Sequence, residues 1–348
     1  MIKFFRKIRQ RLLSQNKVSK YLLYAIGEIV LVVIGILIAL AINNRNQQQI
    51  NEAKITSILK EIQQELVNDI DRSKQIFDRF IRDNSITDSI LLNESTANDY
   101  KYAHKLGHKL GYNYSQFDFV VNTNGYDNLM RNIDNIPEKY QPILKDLKNL
   151  YVTKKTKIDV YNSRIRETVY KNVDDSYNQY SSPLLNLRGI VNDQSINYYL
   201  NNPHYKNLVH KYMNDRGNIT KSSQSFRFKA IETYSKIQTL IESTDSIPIA
   251  LGVEPKTETF LNTIVGRYKI KDSTLADSQG DIRISTKGKE LLFTFMVEEK
   301  DMDIKLVHHR ASIFILMDTQ NHIIFNTPNK GEFIVSRGRV YNTFSKVE

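Results

Sequence analysis

Residues 21–42, YLLYAIGEIVLVVIGILIALAI, run straight into residues 43–70, NNRNQQQINEAKITSILKEIQQELVNDI. The first segment holds 22 residues with Glu28 as its one charge. At about 1.5 Å per residue, a helix of that length spans the roughly 30 Å hydrocarbon core of a bilayer. A single N-terminal transmembrane helix over residues 21–42 is therefore expected. In the second segment Ile55, Leu59, Ile62, Leu66 and Ile70 recur every three or four residues, and Phe77 and Phe80 extend the pattern. That is the stripe of an amphipathic helix. If the helix is unbroken from about residue 44 to 92, it is on the order of 70 Å long and carries the rest of the chain away from the bilayer.

The flanks set an orientation. Residues 1–20 hold Lys3, Arg6, Lys7, Arg9, Arg11, Lys17 and Lys20 and no acid, whereas residues 43–49 carry only Arg45. The positive-inside bias then places the N-terminus in the cytoplasm and the remainder outside. The same basic cluster suits anionic lipid head groups. A competing reading is a cleaved signal peptide, because Ala39-Leu40-Ala41 has a small-x-small form and residues 29–42 alone would suit an h-region. The long tail and the full length of the apolar run favour an uncleaved signal-anchor. Within the run, Glu28 is a candidate contact with a partner helix or subunit, since ionisable groups inside spans usually have a role. The plainer alternative turns Glu28 toward the cytoplasmic interface, near Tyr24 or Lys20. Gly27, Gly35 and Ala39 add small residues that permit close approach of another helix.

Net charge is +11, yet seven of the 49 basic residues precede the span, and residues 43–348 carry only +5. No zinc-finger spacing or basic-aromatic pattern accompanies it, so nucleic acid is excluded as a partner. There is no cysteine, which removes disulfides, thiol catalysis and cysteine metal sites.

The opening MIKFFRKIRQRLLSQNKVSKYLLYAIGEIVLVVIGILIALAINN resembles that of an uncharacterised family of bacterial single-span membrane proteins, known only as a domain of unknown function. The likeness is dense over about 45 residues, including Gly27, Glu28, Gly35 and Asn43-Asn44, and continues more loosely to about residue 245. The resemblance implies anchoring in the bacterial inner membrane and no established activity.

Two further stripes follow. One runs through Tyr140, Leu144, Leu147, Tyr151, Ile158, Tyr161, Ile165, Val169, Val173 and Tyr177, opened by Pro137 and stopped near Ser181-Ser182-Pro183. The other starts at Pro203, with Asn202 as N-cap, and continues through Tyr205, Leu208, Tyr212, Ile219, Phe226, Tyr234, Ile237 and Leu240. Three long amphipathic helices bury their stripes on one another, which predicts an extracytoplasmic antiparallel helical bundle over 43–245. Past a linker at 246–258, eight short alternating segments separated by turn signals predict an antiparallel β domain over 259–348, a sandwich or half-barrel. The fold class is α+β. The β segment is also similar to small sheet tails on exported bacterial hydrolases, a likeness that implies a packing or binding accessory.

Motifs for chemistry are sparse. His104 and His108 are four apart, but Lys105 stands where a zinc protease needs its glutamate; Asp99 or Glu94 would have to complete a metal set. His308 and His309 point to opposite faces of a strand. Asp69 with Asp71, and Asp174 with Asp175, read as solvated helix face. The stretch DSTLADSQGD from Asp272 lacks the calcium-loop order of ligands. No nucleophile elbow, phosphate loop or dinucleotide pattern occurs. The loop SQFDFVVNTNGYDNLMRNID, residues 115–134, reads as a short helix capped at Thr123 or Asn124 that plugs one end of the bundle, or else as a ligand surface. No catalytic residue, cofactor or metal is expected. The expectation is a non-enzymatic, membrane-anchored interaction or scaffold protein that docks an envelope protein or itself. The alternative is a ligand-binding or sensing bundle that signals through a membrane partner.

Overall fold

The computed structural model describes residues 18–101, 109, 111–179, 191–246, 248, 251, 258–273, 280–288, 290–298, 300–310, 313–317, 319, 321–327, 331–337 and 340–347. Helix α1, Val18–Leu91, is one unbroken helix of 74 residues, about 110 Å long at the helical rise. It contains no proline, so nothing interrupts its hydrogen-bond ladder. Asn93, at φ 61, ends it in the left-handed conformation that closes helix C-termini. The apolar run at its start is long and apolar enough to cross a membrane, and none of it is buried within the chain. From Ile55 onward the character changes, with Ile55, Leu59, Ile62, Leu66 and Ile70 fully buried.

Short helices α2 (Ala97–Lys101) and α3 (Asn124–Arg131) lead to α4 (Gln141–Lys148), which carries its proline in the first turn. A π-helical segment, Asn149–Lys154, joins α4 to α5, Lys155–Gln179. Then come α6 (Asp193–Asn201) and α7 (Pro203–Leu240), whose first turns are capped by the side chains of Asn192 and Asn202. Helices α1, α4, α5 and α7 share one apolar core that includes Leu59, Leu66, Ile143, Ile165, Ile219 and Phe226. A second cluster, rich in tyrosine, packs Tyr100, Tyr198, Tyr199 and Tyr205 around Ile90.

A buried polar seam ties α1 to α7. Gln63 donates to the Tyr234 carbonyl (3.2 Å), Ser73 donates to the Ser223 carbonyl (2.8 Å), and Gln224 donates to the Ser73 carbonyl (2.8 Å). Further along, Arg216 donates to Asp83 (2.8 Å). As α1 ascends in number α7 descends, so the helices are antiparallel, and each tie forms in one register alone. A slip by a residue would leave every one of these buried groups without its partner.

After α8 (Glu258–Ile264) the chain forms eight strands: β1 (Gly266–Ser273), β2 (Ile282–Lys287), β3 (Glu290–Val297), β4 (Lys300–Arg310), β5 (Ile313–Leu316), β6 (His322–Thr327), β7 (Glu332–Arg337) and β8 (Val340–Lys346). Each pairs antiparallel with its neighbour, and β1 pairs with β8 through Tyr268–Lys346, Ile270–Phe344 and Ser273–Asn342. The β unit is thus a closed barrel, neither the sandwich nor the half-barrel expected. Closure removes both sheet edges, and alternate side chains fill the interior with Ile284, Phe293, Phe314, Ile323, Phe325, Phe333 and Phe344. Helix α8 packs Phe260, Leu261 and Ile264 against that interior. Tyr268 secures it by donating to the Ile264 carbonyl at 2.6 Å. Most of the linker expected at 246–258 lies outside the described residues, as do Ser181-Ser182-Pro183 and residues 274–279 of the acidic loop.

Candidate functional site

Phe77 belongs to the stripe that sequence periodicity assigns to packing between helices, yet it meets the barrel. It is 2% exposed, with its ring edge-on to His309 of β4 (4.7 Å between centroids) and His322 of β6 (6.0 Å). A register shift in β4 between His308 and Arg310 accompanies this contact. Such a bulge re-aims a side chain, and the two histidines diverge. His308 lies against Phe314 of the barrel interior, whereas His309 reaches α1 and α7.

His309 is 1% exposed and bridges two helices. Arg227 Nη1 lies 2.9 Å from His309 Nδ1, and His309 Nε2 lies 3.0 Å from Asp78 Oδ1. A guanidinium only donates, so Nδ1 is the acceptor and Nε2 carries the proton given to Asp78. Arg227 also donates to Gln224 Oε1 at 3.1 Å. Burial pulls the Arg227 pKa down to about 10, against the opposing pull of Asp78 and Asp71. Burial likewise lowers His322 to about 4, which keeps that ring neutral against Phe77. The joint between helices and barrel is therefore a charged relay held by one neutral imidazole. His309→Phe is expected to lower stability by about 1–3 kcal/mol in urea unfolding, because Arg227 loses one of its two acceptors and Asp78 loses the His309 donor while ring packing is kept. An unchanged midpoint would remove the relay from the joint.

Two carboxylates on α1 are buried, and one of them, Asp69, was expected on a solvated helix face. Asp69 is fully buried and accepts from the Asn122 N–H at 3.1 Å; Glu65 accepts from the Gly125 N–H at 3.0 Å. They reach the start of α3, where unsatisfied N–H groups and the helix dipole favour negative charge. Gly125 permits this approach, since a Cβ there would stand 2.8 Å from the Ile62 side chain. Helix α3 accordingly lies along α1 at Ile62–Asp69. Thr123 occupies the N-cap position without a side-chain cap, and its hydroxyl donates to Asp127 instead. Burial raises the Asp69 pKa to about 7, and the pKa of Glu65 also rises, mainly by burial. Asp71, by contrast, is exposed and accepts from Gln75.

The remaining sequence candidates are dispersed. Gly35 and Ala39 sit on the exposed apolar run, and a Cβ on Gly27 or Gly35 would meet nothing within 4 Å. By helical rotation Glu28, Gly35 and Ala39 fall within about 40° of one another, whereas Gly27 is turned about 80° from Gly35. Glu28 is half-buried. Of the basic cluster, Lys3, Arg6, Lys7, Arg9, Arg11 and Lys17 lie outside the described residues, and Lys20 falls in the first turn of α1. His104 and His108 are outside them as well, while Asp99 is engaged by Thr96 and Lys109. Among the described residues no group of three or more acidic or histidine side chains is placed to hold a metal ion. The chain matches no protein-family model, no curated protein and no solved structure.

Proposed function

We propose that the chain is a non-enzymatic, membrane-anchored scaffold of the bacterial envelope, with residues 21–42 as its span and its helical and barrel units outside the cytoplasm. One observation supports this above others: α1 passes without a break from an exposed apolar run into the buried core of the helical unit. A flexible tether would leave the outer units free to reorient. A continuous helix instead fixes them to the anchor, and the His309 relay fixes the barrel to the same helix. In this reading α1, α4–α5 and α7 form an antiparallel bundle that presents docking surfaces at a set height above the bilayer, and the basic tail meets anionic head groups inside. Glu28, with Gly35 and Ala39 on its face, is the contact for a partner span or a second copy.

A C-terminal alkaline phosphatase fusion is expected to be active, and the full-length protein to resist carbonate extraction. An inactive fusion, or a soluble product beginning near residue 42, overturns the anchor. The unbroken helix also favours a second reading, a sensing bundle that acts through a membrane partner, because a rigid rod transmits displacement along its axis.

A further inference from the structure

Beside the joint, a cleft of about 480 Å³ opens between α4, the π segment, α7 and the barrel, with Lys305 and Met317 on the barrel side. A smaller recess of about 230 Å³ adjoins it and shares Asn149, Thr153, Lys154 and Ser225 with it. The larger volume is by itself that of a small-molecule site. Its floor is the π-helical segment: Leu150 and Tyr151 point into the core, while Asn149, Thr153 and Lys154 line the cleft. Wide turns of this kind concentrate at functional sites.

The charges divide unevenly. Lys229 and Lys236 are matched by Asp146 and Glu232, and Lys305 by Glu290. Lys145, Lys148, Lys157 and Lys221 make no ion pair with a described residue, and all four line the space. Lys154 donates to Ser225 Oγ at 2.7 Å, which places an ammonium and a hydroxyl together at the waist. Ser222, which lines the inner recess, is 4% exposed, and its shielded hydroxyl has no hydrogen-bond partner among the described residues.

Among the described residues no arginine lines the space, and lysine point charges with serine and threonine hydroxyls suit a tetrahedral oxyanion. We propose that this cleft binds an organic phosphate monoester, its phosphate in the inner recess between Lys157, Lys221 and Thr153 and its body in the outer cleft against Phe228 and Met317. The recess is level with Ser73 of α1, through Ser223. That is about 45 Å along the helix from the end of the apolar run. A phospholipid head group of the anchoring bilayer is out of reach, so the ligand is soluble. The inference goes beyond the scaffold reading and stands without the anchor, because the cleft uses no residue of the apolar run.

The test is calorimetric titration of the full-length protein in non-ionic detergent with phenyl phosphate, inorganic phosphate and sulfate at matched ionic strength. Phenyl phosphate is expected to bind at least tenfold more tightly than sulfate or inorganic phosphate. The doubly substituted Lys157→Gln, Lys221→Gln protein, altered only at exposed or half-buried positions, is expected to lose at least tenfold of that affinity with its melting temperature unchanged. Inorganic phosphate bound as tightly as the ester overturns the organic ligand, and ester binding unaffected by the lysine substitutions overturns the site. Neither failure touches the anchor, which carbonate extraction tests separately.

Discussion

Arg216→Ala is expected to lower the unfolding free energy by about 3–5 kcal/mol, the cost of breaking a buried ion pair from one side. Arg216 is 2% exposed and donates to Asp83 at 2.8 Å and to the Tyr112 hydroxyl at 2.5 Å. Its guanidinium also lies 4.3 Å from the Phe117 ring centroid and 5.4 Å from that of Tyr212. Alanine removes the donors, the cation–ring contacts and the volume together. Arg79 and Arg82 remain near Asp83, at 3.6 and 3.3 Å, so the carboxylate keeps some compensation and the lower end of the range is the better target. For a unit of this size the midpoint should fall by about 10 °C. Arg216→Lys keeps the charge but neither the fork nor the stacking, and should lose about half as much. Thermal unfolding followed by circular dichroism checks both. A change under about 1 kcal/mol for alanine would mean that Arg79 and Arg82 compensate Asp83 without Arg216 and that the buried pair contributes little.

Arg216 also shows where reading the sequence stops. The stripes that place α1, α4–α5 and α7 were legible because every third or fourth apolar residue marks one face, and the Asn202 cap was legible because its side chain answers a local need of the backbone. Arg216, Arg227 and Asp69 lie in or beside those stripes, and composition marks them as solvent-facing. Their burial depends on partners far away in sequence: Asp83 for Arg216, His309 for Arg227, the Asn122 backbone for Asp69. No periodicity carries such information. Barrel closure was hidden for the same reason. The alternation of each segment fixes which side chains point inward, but the β1–β8 pairing joins residues more than 65 positions apart, such as Tyr268 and Lys346. Phe77 misled in the opposite sense, since it fits the helical stripe and yet packs against barrel histidines. The lysine cleft gave no signal at all, because its members come from α4, the π segment, α5, α7 and β4, and a π turn leaves no mark in the apolar pattern.

Stability should fall as pH rises from about 4 to 7, and Asp69→Asn should abolish much of that fall. In the unfolded chain an aspartate titrates near 3.8, while burial holds Asp69 near 7 in the folded protein. Between those values the folded state keeps a proton that the unfolded state has released. By linkage, the contribution is fully present below the unfolded pKa and is lost as pH rises through the folded one. The difference between 3.8 and about 7 corresponds to about 4 kcal/mol as an order of magnitude. The geometry agrees with that sign. Among the described residues, one oxygen of Asp69 accepts a hydrogen bond, from Asn122, and the other accepts none, with Arg72 3.5 Å away and the Tyr151 ring buried nearby. Glu65 adds a second negative charge one turn earlier and shifts in the same direction. Asparagine keeps an acceptor for the Asn122 N–H and removes the ionisation. The variant should match the parent near pH 4 and exceed it by a few kcal/mol at pH 8, read from urea midpoints across that range. A parent whose stability is flat with pH, together with an asparagine variant weaker than the parent at pH 8, would show that the carboxylate is better solvated than its burial implies. Loss of stability in the variant at every pH would instead place the value of Asp69 in its charge at the start of α3, where the helix dipole rewards an anion.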